Sequence, residues 1–291
     1  MELRHLRYFS AVAEELNFRR AAEKLHVAQP SLSAQIRSLE EELGVQLLRR
    51  STRKVELTPA GRVFLGEARD VLASASQAEQ KARQAEAGLV GTLRLGIIAP
   101  TANAWLANIL RDFQQRFPDV QLSLYDLTST EQLRRLRENE LDAGLLRPPV
   151  GYPDLDYKFV EESRQVLALP AGHRLAKKAH IDWADFDSEA MVMMHPNVQH
   201  GYYDAFMAAC SKAKAKPRVV QYANDIQTKM WLISAGFGIA PTTATLAEVK
   251  RPGLVFRPLP PGLPPVHTIL VWRRADDSPI LGNFHRSFSA P

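Results

Sequence analysis

A change of texture at Gly88 and Gly91 is the strongest constraint on what this chain can fold into. Before it, apolar residues recur at helical spacing with one short interruption. After it, short apolar stretches alternate with amphipathic ones, the pattern of an α/β unit. The chain is therefore read as two blocks of different class. In the first, Leu3, Leu6, Phe9, Val12, Ala13 and Leu16 predict a helix, and Asn17 is placed to cap a second that carries Ala21, Ala22 and Leu25. A third opens near Pro30, tolerated in a first turn because its missing N–H needs no partner there. Its apolar residues Leu32, Ile36, Leu39 and Leu43 fall on one face, and Gly44 stands where a helix would end.

Two short strands are expected around the basic tip Arg49-Arg50-Ser51-Thr52-Arg53-Lys54, and Thr58-Pro59 opens a further helix. Along that helix Phe64, Ala68, Val71, Ala75, Ala78, Ala82 and Ala85 keep a heptad spacing, which implies a seam with a partner helix. The alternative is an alanine-rich, solvated helix formed by propensity alone. In the second block, strands are expected at 92–98, 120–127, 141–146, 165–169, 190–194 and 267–272, and helices at 104–117 and 130–140. The proline-dense stretch 252–265 is expected as an extended loop or crossover.

Two helices joined by a tight turn at His26-Val27-Ala28-Gln29, with a basic strand pair behind, form a winged helix-turn-helix pattern. Burying Leu32, Ile36 and Leu39 turns Gln29, Ser31, Ser33, Ala34 and Arg37 outward beside the first-turn Pro30. Glutamine can pair with adenine in a major groove, arginine with guanine or phosphate, and serine with either. Arg50, Thr52 and Arg53 on the tip suit phosphates or a narrow minor groove. The net charge of +5 is spread over both blocks, so this local arrangement, not total charge, carries the nucleic-acid reading.

The run LRYFSAVAEELNFRRAAEKLHVAQPSLSAQIRSLEEELGVQLLRRSTRKVELTPAGRVFL resembles the DNA-binding domain of LysR-type transcriptional regulators. Its signatures are Asn17-Phe18 with Ala21-Ala22, Gln29-Pro30-Ser31-Leu32-Ser33, Leu39-Glu40 with Leu43-Gly44, and Leu57-Thr58-Pro59-Ala60-Gly61. The resemblance extends, more loosely, to the C-terminus through Thr92-Leu93-Arg94-Leu95-Gly96, Leu141-Asp142-Ala143-Gly144 and Ala235-Gly236-Phe237-Gly238-Ile239. Ala28 stands where many members have a capping serine, forfeiting about 0.5–2 kcal/mol. Ala34 stands where some have a cation, and Ala240-Pro241-Thr242-Thr243 replaces the family's usual Leu-Val-Pro-like continuation.

The resemblance implies a winged helix-turn-helix domain (1–58), a linker and dimerisation helix (59–88), and an α/β effector domain (89–291) similar to periplasmic binding proteins. Lobe I is expected at 89–163 and 267–291, and lobe II at 164–266, with a cleft between them. Strand ends at such a cleft suit a small ligand. Pro100, Thr101 and Ala102, then Thr128 and Ser129, then Arg147, are the lobe I candidates, with Asn197, Tyr202 and Tyr203 opposite. Arg147 could pair a carboxylate bidentately. This set resembles the pocket of members that sense aromatic acids, which implies an organic anion, aromatic or muconate-like. The family further implies double-stranded DNA with an imperfect inverted repeat, a homotetramer built as a dimer of dimers, and contact with RNA polymerase.

Other classes find little support. A single cysteine, Cys210, excludes an intramolecular disulfide and a cysteine-based zinc site. Its neighbours in Cys210-Ser-Lys-Ala-Lys-Ala-Lys could lower a thiol pKa, so a redox-sensing thiol and an inert buried one both stay open. His195 and His200 have no third ligand at metal spacing, so no metal and no cofactor are expected. No P-loop, GxSxG elbow or HExxH occurs, and no enzyme is expected. The competing reading is a small-molecule binding protein or enzyme with an incidental N-terminal helical domain. The N-terminus carries no long apolar segment or cleavage site, and no stretch is apolar enough to span a bilayer, so a cytoplasmic location without membrane contact is expected.

Overall fold

The computed structural model describes residues 1–50, 54–195 and 202–288; Thr52, Arg53 and Asn197 lie outside them. The chain divides into two compact units, Met1–Ala85 and Glu86–Pro291. In the first, α1 (Leu3–Glu15), α2 (Phe18–Lys24) and α3 (Gln29–Leu43) are followed by the hairpin β1 (Leu48–Arg50) and β2 (Val55–Leu57), and by α4 (Pro59–Glu86). Local chemistry sets the breaks. The Asn17 side chain accepts from the N–H groups of Arg19 and Arg20 and starts α2. Gly44, at φ 69°, ends α3 in the left-handed conformation that glycine adopts without strain. Phe9, Val12, Ala21, Leu32, Ile36 and Leu39 form one buried core. The start of α4 is pressed against the hairpin: a Cβ on Gly61 would lie 2.1 Å from the Leu47 carbonyl oxygen.

That core corrects the expected seam along α4. Phe64 packs edge-on against Phe9, ring centres 5.3 Å apart, and Ala68 is 2% exposed within the same chain. Both face their own domain, because α4 must cover the α1 side of the core before it runs on. Among the remaining seam positions, Ala75 is half-buried, whereas Val71, Ala78 and Ala82 are exposed.

The second unit holds two larger sheets and a parallel pair of strands. One has the order β4-β3-β5-β12-β6 and comprises β3 (Gly91–Ile97), β4 (Val120–Asp126), β5 (Ala143–Leu146), β6 (Leu155–Ser163) and β12 (Val266–Arg273). β3 runs parallel to β4 and β5, while β12 is antiparallel to both β5 and β6. Alternation sorts its apolar residues to two faces. Leu95, Leu145 and Leu270 pack against α5 (Ala104–Arg116) and α10 (Pro279–Ser287), while Leu146, Ile269 and Val271 pack against α6 (Ser129–Arg137).

The other sheet has the order β10-β7-β11 and comprises β7 (Gln165–Pro170), β10 (Ala240–Thr243) and β11 (Leu254–Pro258), all antiparallel. A bridge from Ile239 to Met191 links it to the parallel pair β8 (Ala190–Met194) and β9 (Arg218–Ala223). Helix α7 (Tyr202–Lys212) connects that pair, and α8 (Ile226–Ser234) follows it. The stretch 252–265 is not wholly a loop, since β11 occupies its first half. Leu254 and Phe256 pack onto α8's apolar cluster, and Pro258 is tolerated because β11 is an edge strand. Ala240-Pro241-Thr242-Thr243 is likewise the other edge strand and fully buried.

Candidate functional site

Two sites emerge, one in each unit. In the first, α3 presents Gln29, Pro30, Ser31, Ala34 and Arg37 to solvent, with Ser33 half-buried. The helix starts at Ala28 with extended backbone and no side-chain cap. Arg50 departs from its expected role. Its guanidinium donates to Glu40 at 2.7 Å and lies 4.9 Å from the Phe18 ring centre. Glu40 also accepts the N–H groups of Leu47 and Leu48 at 2.9 and 3.0 Å. Arg50 is thus a strut that ties the hairpin to α3, because the same Glu40 carboxylate accepts from the guanidinium and from the backbone that leads into β1. The outward face of α3 keeps the donors and acceptors that can read base edges.

In the second unit, the carboxyl ends of β3, β4 and β5 meet those of β8 and β9 around a cavity of about 530 Å³. Carboxyl ends of parallel strands are where α/β sheets leave room for ligands, and this volume suits a small organic molecule. The two segments that cross between the sheets form part of the wall through Gln165 and Val266, and Gln165 donates to the Pro264 carbonyl across them at 3.0 Å.

Pro100, Thr128, Ser129 and Arg147 come together on this wall, from three different loops. Thr128 caps α6 by accepting the Glu131 N–H. The Ser129 hydroxyl accepts the Arg147 N–H at 3.2 Å. The Arg147 guanidinium donates to Thr268 at 2.7 Å, Thr268 donates to Glu161 at 2.8 Å, and Asn103 donates to the other oxygen of Glu161 at 3.0 Å. This chain of bonds holds the cation at the cavity.

Thr101 and Ala102 are corrections. Thr101 is fully buried and spends its hydroxyl on the Ile98 carbonyl, closing a 3-10 turn; Ala102 faces solvent outside the cavity lining. Both follow from the turn tightening straight after β3. Tyr202 and Tyr203 open α7.

Several lining residues were missed, among them Gln165, Asn224, Gln227 and Lys229, and Lys229 is the one that carries a cation. Lys229 is 3% exposed on α8, and its Nζ donates to the Pro241 carbonyl at 2.8 Å. Burial pushes its amine down to about 8. The sequence did hold a signal. Ile226, Lys229, Met230 and Ile233 share one helical face, so a lone lysine interrupts an apolar stripe.

Cys210 is fully buried beside Phe186 and Phe206, and burial pushes its thiol up to about 11. The neighbouring lysines do not offset this, so the reactive thiolate form is disfavoured. Among the described residues no cluster of three or more His, Cys, Asp or Glu side chains could hold a metal, and no helix is long and apolar enough to cross a membrane.

Comparison with known proteins matches residues 3–62 to the family described as "Bacterial regulatory helix-turn-helix protein, lysR family", and residues 86–290 to "LysR substrate binding domain". Among curated relatives, the Hca operon transcriptional activator HcaR of Escherichia coli (strain K12) is 37% identical over 98% of this chain and 96% of its own. The HTH-type transcriptional regulator AlsR of Bacillus subtilis (strain 168) is 34% identical over 98% and 94%. Among solved structures, CbnR, described as a LysR family transcriptional regulator, aligns with a TM-score of 0.86 at 29% identity, covering 99% of this chain and all of its own. Full-length CbnR complexed with its target DNA aligns with a TM-score of 0.85.

Proposed function

The chain belongs to the LysR family of bacterial transcriptional regulators, and from that premise we propose how its parts divide the work. It is a DNA-binding regulator of transcription with an effector-binding domain, and its relatives are named as regulators rather than enzymes. In our reading, residues 1–58 bind DNA, 59–88 pair two chains, and 89–291 bind the effector between two lobes. The α3 face from Gln29 to Arg37 reads the major groove, and the 49–54 tip, apart from Arg50 with its tie to Glu40, follows the backbone. The relative solved with its target DNA supports this placement. The exposed small residues of α4, Val71, Ala78 and Ala82, offer a stripe for a second copy, and pairing of two such dimers gives a tetramer on an imperfect inverted repeat.

The effector is a small organic anion. The observation that carries this is Arg147, held at the cavity by Ser129 and Thr268 among strand ends and beside the α6 N-terminus. The anion binds one arrangement of the lobes more tightly, and that difference in affinity shifts how the assembly engages promoter DNA and RNA polymerase in the cytoplasm.

The test is fluorescence anisotropy of the full-length protein on the DNA upstream of its own gene, with random competitor, titrated with aromatic and aliphatic acids. We expect binding that survives competitor, an acid-dependent change in it, and loss of that acid response in Arg147→Met with DNA affinity retained. An acid response untouched by Arg147→Met overturns the cavity assignment. Binding no tighter than to random DNA overturns the assignment of that target.

A further inference from the structure

The cavity has a second cation in its lining, on α8, with no established task. Lys229 projects from α8 on the face shared with Ile226, Met230 and Ile233, where a methionine would satisfy packing alone. Its Nζ meets one acceptor, the Pro241 carbonyl, and Pro241 also lines the cavity. An ammonium has three donors. Among the described residues no carboxylate pairs with it.

The surrounding elements explain this isolation. Strands β7, β8 and β10 carry no ionisable side chain. On β11, Arg257 is spent on the carbonyls of Ala176, Lys178 and Ala179. β9 contributes Arg218 and Tyr222, and His195 after β8 meets Tyr222 edge-on. Asp225, on the helix's own N-cap, is committed to Thr228. Elsewhere in the lining stand Arg147, with Glu161 behind Thr268, and the exposed Asp126. A buried cation without a counter-charge is costly, and an anion brought in from outside removes the cost.

We propose that Lys229 is the anion receptor of the second lobe, so that the cavity selects organic acids bearing two carboxylates, one held by Arg147 and the other by Lys229. This rests on the reading of the cavity as an organic-acid site. The two cations sit on different lobes, so a diacid bridges them and favours their closed arrangement. Loading also draws a proton onto the amine wherever it is neutral in the empty cavity, because the guest carboxylate favours the charged form. Affinity for a diacid therefore falls at alkaline pH, and binding there takes up protons from the buffer.

The experiment is calorimetric titration of the full-length protein with acids matched in skeleton, adipate against hexanoate and isophthalate against benzoate. It spans about pH 6.5 to 9.5, in two buffers of different ionisation enthalpy. We expect the better diacid to bind at least tenfold tighter than its monoacid at neutral pH. Its affinity should weaken about tenfold per pH unit above about 8, with proton uptake over that range. Lys229→Met should bring the diacid to the monoacid's affinity and flatten the pH profile, and Lys229→Gln should do the same. A diacid advantage that survives both substitutions, or a pH-independent affinity in the unmodified protein, overturns the proposal and leaves Lys229 a clip on Pro241. Monoacid binding would then still stand for the cavity reading. If neither acid of either pair binds the unmodified protein, that reading fails and this proposal falls with it.

Discussion

The two units hold their candidate functional side chains in opposite ways. On α3, Gln29, Ser31, Ala34 and Arg37 stand in solvent, on one helix, within nine residues of chain. Around the cavity, Arg147 and Lys229 are anchored from within, and the wall is gathered from Ile98 to Val266. A surface that reads a polymer needs only a rigid helix with its apolar face buried. A cavity that closes on a small molecule needs polar groups fixed in low dielectric, each with its own support. The first kind of site adds little strain to its domain, while the second stores a cost that a ligand can relieve.

The largest effect should show that the two units are separable. Phe9→Ala removes a fully buried ring that packs on Phe64, and should destabilise the first unit by about 3–5 kcal/mol. Thermal unfolding followed by calorimetry should show the loss, with DNA binding abolished at 37 °C. Acid binding should persist, since the cavity lies wholly in the other unit. Simultaneous loss of both functions would break the comparison.

The next effect concerns the stored cost. The Lys229 amine is lowered to about 8 by burial, so the folded state holds its proton less tightly than the unfolded chain. The resulting penalty is fully present below about pH 8 and fades as pH rises toward the ordinary lysine value. Lys229→Met should therefore raise stability in the absence of ligand by about 1–3 kcal/mol at neutral pH, and the gain should shrink between about pH 8 and 10. Arg37→Ala on the solvent-facing helix should stay within about 0.5 kcal/mol at every pH. Urea midpoints for both variants at several pH values check this, and equal responses would remove the contrast.

The smallest effect is a gain. Ala28 has the extended backbone of a cap, and Pro30 leaves the Ser31 N–H without a side-chain acceptor. Ala28→Ser should supply that acceptor and add about 0.5–1 kcal/mol to the first unit alone. A shift in the unfolding midpoint of the second unit would contradict the separation.

Legibility in the sequence followed the range of the interactions involved. The Asn17 cap, the Gly44 stop, the buried face of α3 and the strand–helix alternation of the second block are all local, so spacing and residue type sufficed to place them. The same spacing misled along α4. Phe64 and Ala68 repeat with Val71 and Ala78 in one heptad, yet the first two are claimed by Phe9 and the core beneath it. Periodicity says that a face is apolar and leaves open which surface covers it. Arg50 belongs to the same class of error. Its place in a basic tip was visible, but its pairing with Glu40 depends on how the hairpin folds back.

By itself, then, the sequence determined the helical reading unit, the family it belongs to and the α/β class of the rest, because each depends on residues a few positions apart. Only the tertiary structure decided which strand-end residues share a cavity, turning Thr101 away onto the Ile98 carbonyl and bringing Lys229 into the same lining as Arg147. Burial and charge pairing across long stretches of chain have no local spacing to announce them, and they are what set the chemistry of the second site.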